Sequence, residues 1–395
     1  MTTGPDLLLT FDFPPMGGGI ARWMAELALG YPPGGLIVST GSLSGAAESD
    51  ARFPNRIDRL AVPSSRLKTL RGLILWSRRV TALTVEHQVP FIWCGNFRPA
   101  AYPAKWAHER VGVPYAVMVH GGDLLALRHN YETRAMKRSV ARSLIGGAEV
   151  LVANSRYTHD LAWDVLRELG LPERTGRVRV VPLGTDPGQF RPGLDPAPLA
   201  ERYGLPPGRW LLTVARLVPH KGIDTTIKAL ARLAPGYPSL RYAIVGQGAY
   251  RAALESLARE HGVGDRVHFL ADLSDGDLPF AYALAEIYVG VSRVTTRDVE
   301  GFGIALLEAS ASAKPVVAGR SGGMPDAVRE GETGLLVDPE NPEGVARTIE
   351  ALLQDPARGT ALGAAGRRAV ESFYNWPRVV ADLRAISATA RSARP

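Results

Sequence analysis

Apolar residues follow two patterns that alternate along the first half of the chain. Short runs rich in branched apolar residues predict buried strands at 7–11, 36–39, 91–93, 115–119, 150–153 and 178–182. Between several of these strands, apolar residues recur every three or four positions and predict amphipathic helices at 20–29, 66–86 and 157–169. Strands that alternate with helices in this way predict a parallel, doubly wound α/β sheet.

The alternation stops between residues 182 and 208, where seven prolines and several glycines are typical of a connector between domains. It resumes with predicted strands at 210–215, 242–245, 267–270, 287–291, 315–318 and 334–337, and with a helix from residue 222. Because 395 residues suffice for two domains, we predict two doubly wound, Rossmann-like domains that face a central cleft. Their predicted bounds are 1–184 and 185–376, and we expect the last helix, within 377–395, to pack back on the first domain.

The composition is that of an ordinary globular protein, with 46% hydrophobic and 22% charged residues. Cys94 is the single cysteine, so no disulfide can form within the chain and a reducing compartment is expected. The first twenty residues lack the basic start and apolar core of a secretory signal, and every apolar run is too short to span a bilayer. We therefore expect a cytoplasmic protein and not an integral membrane protein.

The positive charge of the chain, +7 in total, lies mainly in its first half. Residues 1–190 contain 22 Lys and Arg against 16 Asp and Glu, a net +6, whereas the remainder contains 24 against 23, a net +1. A basic half is expected to meet an anionic partner, which charge alone does not identify: a phosphorylated metabolite, a membrane surface or nucleic acid. Nucleic-acid binding calls for basic and aromatic residues clustered on one surface, which we do not find, so no such partner is expected.

Two loops of the first half follow predicted strands and contain glycine. Residues 17–19 are three glycines before a helix start, where backbone amides and the helix dipole favour an anion. The Gly-x-Gly-x-x-Gly dinucleotide pattern is absent there, and a flexible turn is the simpler alternative. His120 follows the strand 115–119 and precedes two glycines, which suggests a ligand close to the backbone, although an ordinary loop histidine fits equally well.

Arg216 and Lys221 lie in the segment that follows the predicted strand 210–215. In open α/β sheets, ligands bind outside the carboxyl ends of the parallel strands. Two fixed cations at such an edge can neutralise a diphosphate and stabilise it as a leaving group. A solvated pair of surface cations is the alternative that position alone leaves open.

The strongest signal is the segment E-G-F-G-I-A-L-L-E, which runs from Glu300 to Glu308 after the predicted strand 287–291. Its two glycines permit a tight turn into a helix whose free amides face the ligand-binding edge. Glu308 lies within an apolar row of that helix, so its carboxylate needs a hydrogen-bond donor, and ribose hydroxyls are suitable. Glu300 precedes the turn and is expected to bind sugar hydroxyls or support a positive charge. The alternative is a helix cap with a structural salt bridge.

Together these segments resemble the retaining glycosyltransferases of family 4, which have the GT-B architecture, and the resemblance covers nearly the whole chain. Its most specific part is the spacing of Glu300 and Glu308, followed by A-R-L-V-P-H-K-G around Arg216 and Lys221. The segment V-V-P-L-G-T-D-P-G-Q-F-R-P from Val180 and the segment A-N-S-R-Y-T from residue 153 are also similar to the family.

The resemblance implies a role for each candidate residue. Arg216 and Lys221 would hold the donor diphosphate, Glu308 the ribose hydroxyls, and Glu300 the hydroxyls of the transferred sugar. His120 would lie near the reacting face of the sugar, and the base near residues 271–273. The implied catalytic residues are His120, Arg216, Lys221 and Glu300, and the implied donor-binding residues are Gly17, Gly18, Arg216, Lys221, Glu300, Gly301, Phe302, Gly303, Ile304 and Glu308.

The implied reaction moves a hexosyl unit from a nucleotide diphosphate sugar to a hydroxyl of a glycan, glycolipid or small molecule, with retention of configuration. No covalent nucleophile is evident, so we favour a same-face displacement in which the departing phosphate helps to deprotonate the acceptor. Arg216 and Lys221 would stabilise the leaving group in place of a metal, and neither a metal nor another cofactor is expected. The Asp-x-Asp pattern at Asp275 and Asp277 precedes a predicted helix and is interpreted as a helix N-cap.

Residues 292–300 and 308–311 resemble the branch that uses GDP-mannose on phosphatidylinositol mannosides, so GDP-mannose is favoured over a UDP-sugar such as UDP-glucose. The segment 64–86 combines apolar and basic residues and, with the basic segment 128–142, suits peripheral contact with the inner face of the plasma membrane. A helix that packs on its own sheet with its basic side in water is the simpler interpretation.

Two other functions compete with transfer: a nucleotide-sugar epimerase of the same architecture, and an inactive protein that only binds sugar nucleotides. The spacing around Glu300 and Glu308 argues against the epimerase. A Glu300→Ala variant that loses transfer but still binds nucleotide would exclude the inactive binder.

Overall fold

The computed structural model describes residues 4–132 and 134–392, and the chain divides into two compact units. The first unit runs to Leu183 and resumes at Trp376, and the second is Gly184–Asn375. Each unit has a hydrophobic core of its own.

The first unit is built on seven parallel strands in the order β3-β2-β1-β4-β5-β6-β7. The interior strand β1 is buried at every position, as in parallel sheets that are covered on both faces. The strands are β1 (Asp6–Leu9), β2 (Leu36–Ser42), β3 (Arg56–Pro63), β4 (Ile92–Cys94), β5 (Tyr115–Val119), β6 (Val150–Ala153) and β7 (Val178–Val180). The connecting helices are α1 (Gly19–Gly30), α2 (Ala46–Asp50), α3 (Leu70–Glu86), α4 (Ala101–Val111), α5 (Gly122–Glu132), α6 (Ala135–Gly146) and α7 (Arg156–Glu168).

The second unit repeats this design with six parallel strands in the order β10-β9-β8-β11-β12-β13. The strands are β8 (Arg209–Val214), β9 (Leu240–Val245), β10 (Val267–Leu270), β11 (Ile287–Gly290), β12 (Val316–Gly319) and β13 (Leu335–Val337). The helices are α8 (Ala197–Arg202), α9 (Ile223–Leu233), α10 (Arg251–Glu260), α11 (Leu278–Leu284), α12 (Ile304–Ala311), α13 (Met324–Ala327), α14 (Pro342–Gln354) and α15 (Pro356–Ser372).

The last helix, α16 (Trp376–Ser392), belongs to the first unit and packs against α1. Gly30 lies so close to Val380 that a Cβ on Gly30 would be 2.6 Å from a Val380 methyl carbon. Near the end of α16, Arg391 donates a hydrogen bond of 2.6 Å to the buried carboxylate of Asp6 in β1. A charge-assisted bond to a buried carboxylate therefore connects α16 to the interior strand β1.

The predicted fold class is confirmed, because both units are doubly wound parallel α/β sheets with the strand order of a Rossmann fold. The strand β3 is not among the predicted strands, since Arg56, Asp58 and Arg59 obscure the apolar alternation of this edge strand.

The single helix predicted at 66–86 is wrong in its first turn. Ser64–Lys68 forms a 3₁₀ turn, and α3 begins only at Leu70, because the Thr69 hydroxyl accepts a hydrogen bond from the Gly72 amide at 3.1 Å and caps the helix. None of the helices within residues 4–132 and 134–392 is long and apolar enough to cross a bilayer.

Candidate functional site

Two loops of the second unit contain most of the predicted donor-site residues. Their strands, β8 and β11, are hydrogen-bonded neighbours, with Ile287 opposite Leu211. The strand order reverses between these two strands, which is the point where ligands bind in doubly wound sheets. One loop contains Arg216 and Lys221, and the other leads to Glu300.

Backbone contacts fix the first loop. The buried Leu217 donates its amide hydrogen to the carbonyl of Gln247 at 2.8 Å. Gly222 has a φ of +68°, and a Cβ there would lie 2.0 Å from the Val291 carbonyl oxygen, so only glycine fits. Lys221 is thereby held directly beside the second loop, while Arg216 is exposed to solvent.

Lys221 and Glu300 form an ion pair, in which the ammonium group donates a hydrogen bond to Glu300 Oε2. The side chains are only 14% and 24% exposed. Burial raises the pKa of Glu300, but the charge and hydrogen bond of Lys221, with His220 and Arg216 adding to them, outweigh it, so the pKa lies below its ordinary 4.5. The pKa of His220 lies below its ordinary 6.5, mainly because the ring is buried and secondly because the Lys221 cation is near. The carboxylates of Asp298 and Glu300 act in the opposite direction but do not outweigh these causes.

The glycine turn after Glu300 leads into α12. Gly303 is the N-cap residue of this helix and has a φ of +99°, in the left-handed region that favours glycine. Phe302 is buried and contacts the ring of Tyr374, and the Glu300 carbonyl accepts a hydrogen bond of 2.9 Å from the Gly323 amide. The turn therefore fixes the helix N-terminus, whose free amides suit an anion.

Glu308 lies inside α12 and is 7% exposed. Tyr282, on α11, donates a hydrogen bond of 2.6 Å to Glu308 Oε2. Tyr282 is itself fully buried, and its ring stacks on Tyr288 with centroids 5.8 Å apart. The hydrogen-bond donor that the sequence requires for Glu308 is therefore supplied at least in part by the protein.

The predicted donor loop of the first unit has a fixed base and a free tip. Phe13 is buried against Phe53, and Arg59 of β3 donates a hydrogen bond of 2.5 Å to the Pro14 carbonyl while pairing with Asp50 at 2.7 Å. Beyond this base, a Cβ on Gly17 or Gly18 would meet no atom within 4 Å, and Gly18 has a φ of +117°. The tip therefore leaves its backbone open to a partner.

His120 lies at the carboxyl end of β5 in the first unit. Its Nε2 is 2.7 Å from the Gly95 carbonyl oxygen and its ring meets the edge of Trp23 at 5.2 Å. Because a carbonyl only accepts, Nε2 carries the hydrogen, and in the neutral ring Nδ1 is left as an acceptor. The ring is thus held in one orientation.

The interpretation of Asp277 as a capping residue needs a correction. Asp277 stands at the N-cap position of α11, but its carboxylate makes no capping hydrogen bond. It pairs with Arg202 at 2.7 Å and accepts a hydrogen bond of 2.8 Å from Ser274, whose hydroxyl in turn accepts the Asp277 amide hydrogen at 3.1 Å, so these partners engage the carboxylate instead of the helix amides. Within the described part of the chain, no group of three or more His, Cys, Asp or Glu residues is arranged to hold a metal.

The structure brings one set of predicted residues together in the second unit and leaves the others in the first. Gly17, Gly18 and His120 belong to the first unit, and the base of their loop is formed by residues that the sequence does not single out. In the second unit, sequence reasoning missed the contacts of Tyr282 and Arg293. Tyr282 is an aromatic residue in a short apolar helix, and Arg293 is one of two arginines in the segment 292–300, which the sequence singles out only for the choice of donor. The predicted residues gathered in the second unit are Arg216, Lys221, Glu300, Gly301, Phe302, Gly303, Ile304 and Glu308.

Two known families match the chain, one in each half. Residues 17–189 match the family described as Glycosyltransferase Family 4, and residues 203–369 match the family described as Glycosyl transferases group 1. The second match contains the loops of Lys221 and Glu300.

Two relatives match over nearly the whole length. The chain is 33% identical, over 95% of its length and 96% of the relative, to the GDP-mannose-dependent alpha-(1-6)-phosphatidylinositol monomannoside mannosyltransferase of Mycobacterium tuberculosis. It is 31% identical to the protein of the same name from Mycolicibacterium smegmatis, over 98% of this chain and 99% of that one.

Solved structures of the same fold are more distant in sequence. Anabaena Alr3699/HepE in complex with UDP and glucose aligns with a TM-score of 0.79 and 20% identity over 98% of this chain and all of that one. Sucrose-phosphate synthase from Thermosynechococcus elongatus aligns with a TM-score of 0.79 and 23% identity over 99% of this chain and all of that one. At this level of identity, the likeness shows the GT-B fold alone.

Proposed function

The chain belongs to glycosyltransferase family 4 and is a hexosyltransferase that uses a nucleotide sugar, and from that premise we propose that it transfers mannose from GDP-mannose to a phosphatidylinositol mannoside. We propose further that configuration is retained and that no metal takes part. The observation that carries the choice of sugar and acceptor is the 31–33% identity, over nearly the full length, to mannosyltransferases of that description.

The second unit supplies the donor site in this proposal. Arg216 and Lys221 bind the diphosphate, and Glu308, held by Tyr282, accepts hydrogen bonds from ribose hydroxyls. Glu300 accepts hydrogen bonds from hydroxyls of the mannose. The amides of residues 301–304 line the sugar and phosphate at the N-terminus of α12.

The charges of this site suit departure of a nucleoside diphosphate. As the glycosidic bond breaks, negative charge grows on the terminal phosphate, where Arg216 and Lys221 stabilise it. That phosphate oxygen accepts the proton of the attacking hydroxyl on the same face of the sugar, which gives retention. The roles assigned to Gly17, Gly18 and His120 by the family resemblance stay predictions.

A lipid acceptor fits the surface at the start of α3. Leu70 is 76% exposed, and Arg66, Lys68 and Arg71 around it are exposed too. An exposed leucine among cations suits a peripheral contact with an anionic bilayer. Leu67, just before Leu70, and Trp76, further along α3, are fully buried, so the apolar part of this contact rests on Leu70.

The proposal is tested by incubating the chain with GDP-mannose and phosphatidylinositol monomannoside vesicles in the presence of a chelator, and by determining the anomeric configuration of the product by NMR. We expect mannosyl transfer with an α-linked product from the α-linked donor. The Glu300→Ala variant should lose transfer by about a hundredfold or more while still binding GDP.

Other outcomes overturn distinct parts of the proposal. A β-linked product excludes retention, and activity that requires an added divalent ion excludes the metal-free mechanism. Transfer from UDP-glucose but not from GDP-mannose overturns the donor. Conversion of the nucleotide sugar to its epimer without transfer would support the epimerase instead.

A further inference from the structure

Arg293 connects the two loops that contain Lys221 and Glu300. It follows β11 in the chain, seven positions before Glu300, but its contacts are with the loop after β8. Its backbone amide donates to the His220 carbonyl at 2.8 Å, and its guanidinium donates to the Pro219 carbonyl, also at 2.8 Å. On one side of this contact, His220 is the neighbour of Lys221 in the chain, and on the other side Arg293 belongs to the loop that ends at Glu300. The contact therefore joins the two segments that contain the donor-site ion pair.

The same guanidinium reaches past Lys221 to the start of α9. It pairs with both oxygens of Asp224, at 2.9 and 3.0 Å, and lies 3.3 Å from the Thr225 hydroxyl. The side chains of Arg293 and Asp224 are 19% and 15% exposed, so this pair is better shielded from water than an ordinary surface pair. Arg293 thus binds the loop on both sides of Lys221.

The contacts of Arg293 with Pro219 and Asp224, which we call the Arg293 clamp, enclose Lys221, and the backbone at Gly222 restricts it further. Gly222 is pressed against the Val291 carbonyl, two residues before Arg293, in a conformation that only glycine adopts easily. The Lys221 ammonium then extends to Glu300 and donates a hydrogen bond to its carboxylate. Any shift of the loop relative to Arg293 would move the ammonium relative to Glu300.

We propose that Arg293 is a positioning residue for transfer: it sets the distance between Lys221 and Glu300 and so aims the Lys221 cation at the departing phosphate. This inference rests on the proposed function, because it assigns Lys221 to the diphosphate. The planar guanidinium is needed, because one of its nitrogens contacts Pro219 and Asp224 while the other lies 3.3 Å from the Thr225 hydroxyl. Arg293→Lys has a single side-chain nitrogen, which can pair with Asp224 but cannot hold all of these positions at once.

The test compares steady-state kinetics of the wild type, Arg293→Gln and Arg293→Lys with GDP-mannose, together with GDP binding by calorimetry and thermal unfolding. We expect kcat/KM of Arg293→Gln to fall by about 30- to 100-fold, mostly in kcat, because misplacement by about 1 Å is worth that much. GDP binding should weaken by less than tenfold, and Arg293→Lys should recover part of the loss. Should Arg293→Gln fail to fold, Asp224→Asn removes the same pair from the other side.

The chain provides a matched control at the other end of the same two strands, at the amino-terminal ends of β8 and β11. Arg209 at the start of β8 pairs with Glu286, just before β11, and donates to the Leu353 carbonyl at 3.2 Å. Arg209→Gln thus breaks a comparable pair between the same strands, and it should lower the unfolding temperature while leaving kcat and KM within about twofold of wild type.

The outcomes separate this inference from the proposed function. A wild type that transfers mannose, with Arg293→Gln unchanged in kcat/KM or no worse than Arg209→Gln, overturns the positioning role and leaves the proposed function standing. A wild type that transfers no sugar overturns the proposed function and, with it, the role in transfer. In that case, equal GDP affinity in the wild type and Arg293→Gln would also show that Arg293 does not position Lys221 to bind the diphosphate.

Discussion

Lys221 donates a hydrogen bond to Glu300, although 79 positions separate the two residues in the chain. Each is placed by a loop after one of two neighbouring parallel strands, and each loop is fixed by glycine at a position where a side chain does not fit. In the proposed function, the donor diphosphate is a second anionic partner for Lys221, and we expect Glu300 to turn towards the hydroxyls of the sugar when the diphosphate binds. This one pair would then couple binding of the phosphate to orientation of the sugar.

The first prediction concerns the stability of this pair against acid. Because the pKa of Glu300 in the folded chain lies below 4.5, its ionised form stabilises the fold fully above that pH, and this contribution is lost as pH falls through the lowered pKa. Thermal unfolding of the wild type and Glu300→Gln should therefore differ most above the ordinary pKa of 4.5 and converge as the pH falls below it, through the lowered pKa of the folded chain. A Glu260→Gln control, at the exposed end of α10, corrects for the change in net charge. A gap that widens towards acid pH would contradict the assigned pKa.

The second prediction concerns the hydrogen bond between Tyr282 and Glu308. Tyr282→Phe removes a donor to a buried carboxylate, which is worth about 1.5 kcal/mol or more, so GDP binding should weaken by about tenfold as Glu308 loses its orientation. Tyr288→Phe is the matched control, because it removes a hydroxyl from the ring stacked on Tyr282 that makes only a 3.4 Å contact with the Val214 carbonyl. Equal effects of the two variants in calorimetry would show that Tyr282 acts through packing alone.

The third prediction concerns the base of the glycine loop in the first unit. Arg59→Gln removes the cation that joins Pro14 to Asp50, and the amides of Gly17 and Gly18 then lose their fixed base. We expect KM for the donor to rise by about five- to tenfold, with a smaller change in kcat. The control is Arg56→Gln on the same strand, where Arg56 contacts Asp58 and His87 instead. An unchanged KM in Arg59→Gln would remove this loop from the donor site.

The fourth prediction concerns the exposed end of α3. Leu70→Ser should reduce co-sedimentation with vesicles that contain phosphatidylinositol by several-fold. The reason is that Leu70 is an exposed apolar side chain surrounded in sequence by three exposed cations, Arg66, Lys68 and Arg71. Val85→Ser, at the other end of the same helix, removes a side chain that is 62% exposed and should have little effect. Wild-type protein that binds neutral and anionic vesicles equally would contradict the membrane contact.

The fold follows from the sequence wherever apolar residues show a clear period. The strands from β4 to β6 and the four interior strands of the second sheet are almost wholly buried, and their short apolar runs predict them. The edge strand β3 escapes prediction because Arg56, Asp58 and Arg59, which form ion pairs in the folded chain, interrupt its apolar positions. A regular pattern of apolar residues appears only where a strand is buried. The edge strand β3 is only half buried, so its apolar pattern is too weak to predict it.

The candidate site is foreseeable in its residues but not in its contacts. Spacing within one segment singles out Glu300 and Glu308, and the family resemblance assigns them roles, because such residues are close in sequence. The pairing of Glu300 with Lys221, the hydrogen bond from Tyr282 and the clamp of Arg293 join segments that are distant in sequence. Only strand order and backbone geometry decide which of them meet, and no local pattern contains that information.

The measurement that tests the central claim most directly is thermal unfolding of the chain with GDP, UDP, ADP or NAD, each in the presence of a chelator. A ligand that binds only the folded chain stabilises it by about 2.7 kcal/mol at a hundred times its dissociation constant, which is enough to detect. We predict that GDP raises the unfolding temperature well above the other three and that Lys221→Gln diminishes the rise. Stabilisation by none of them, or by NAD alone, would contradict the assignment of Arg216, Lys221 and Glu308 to a nucleotide-sugar donor.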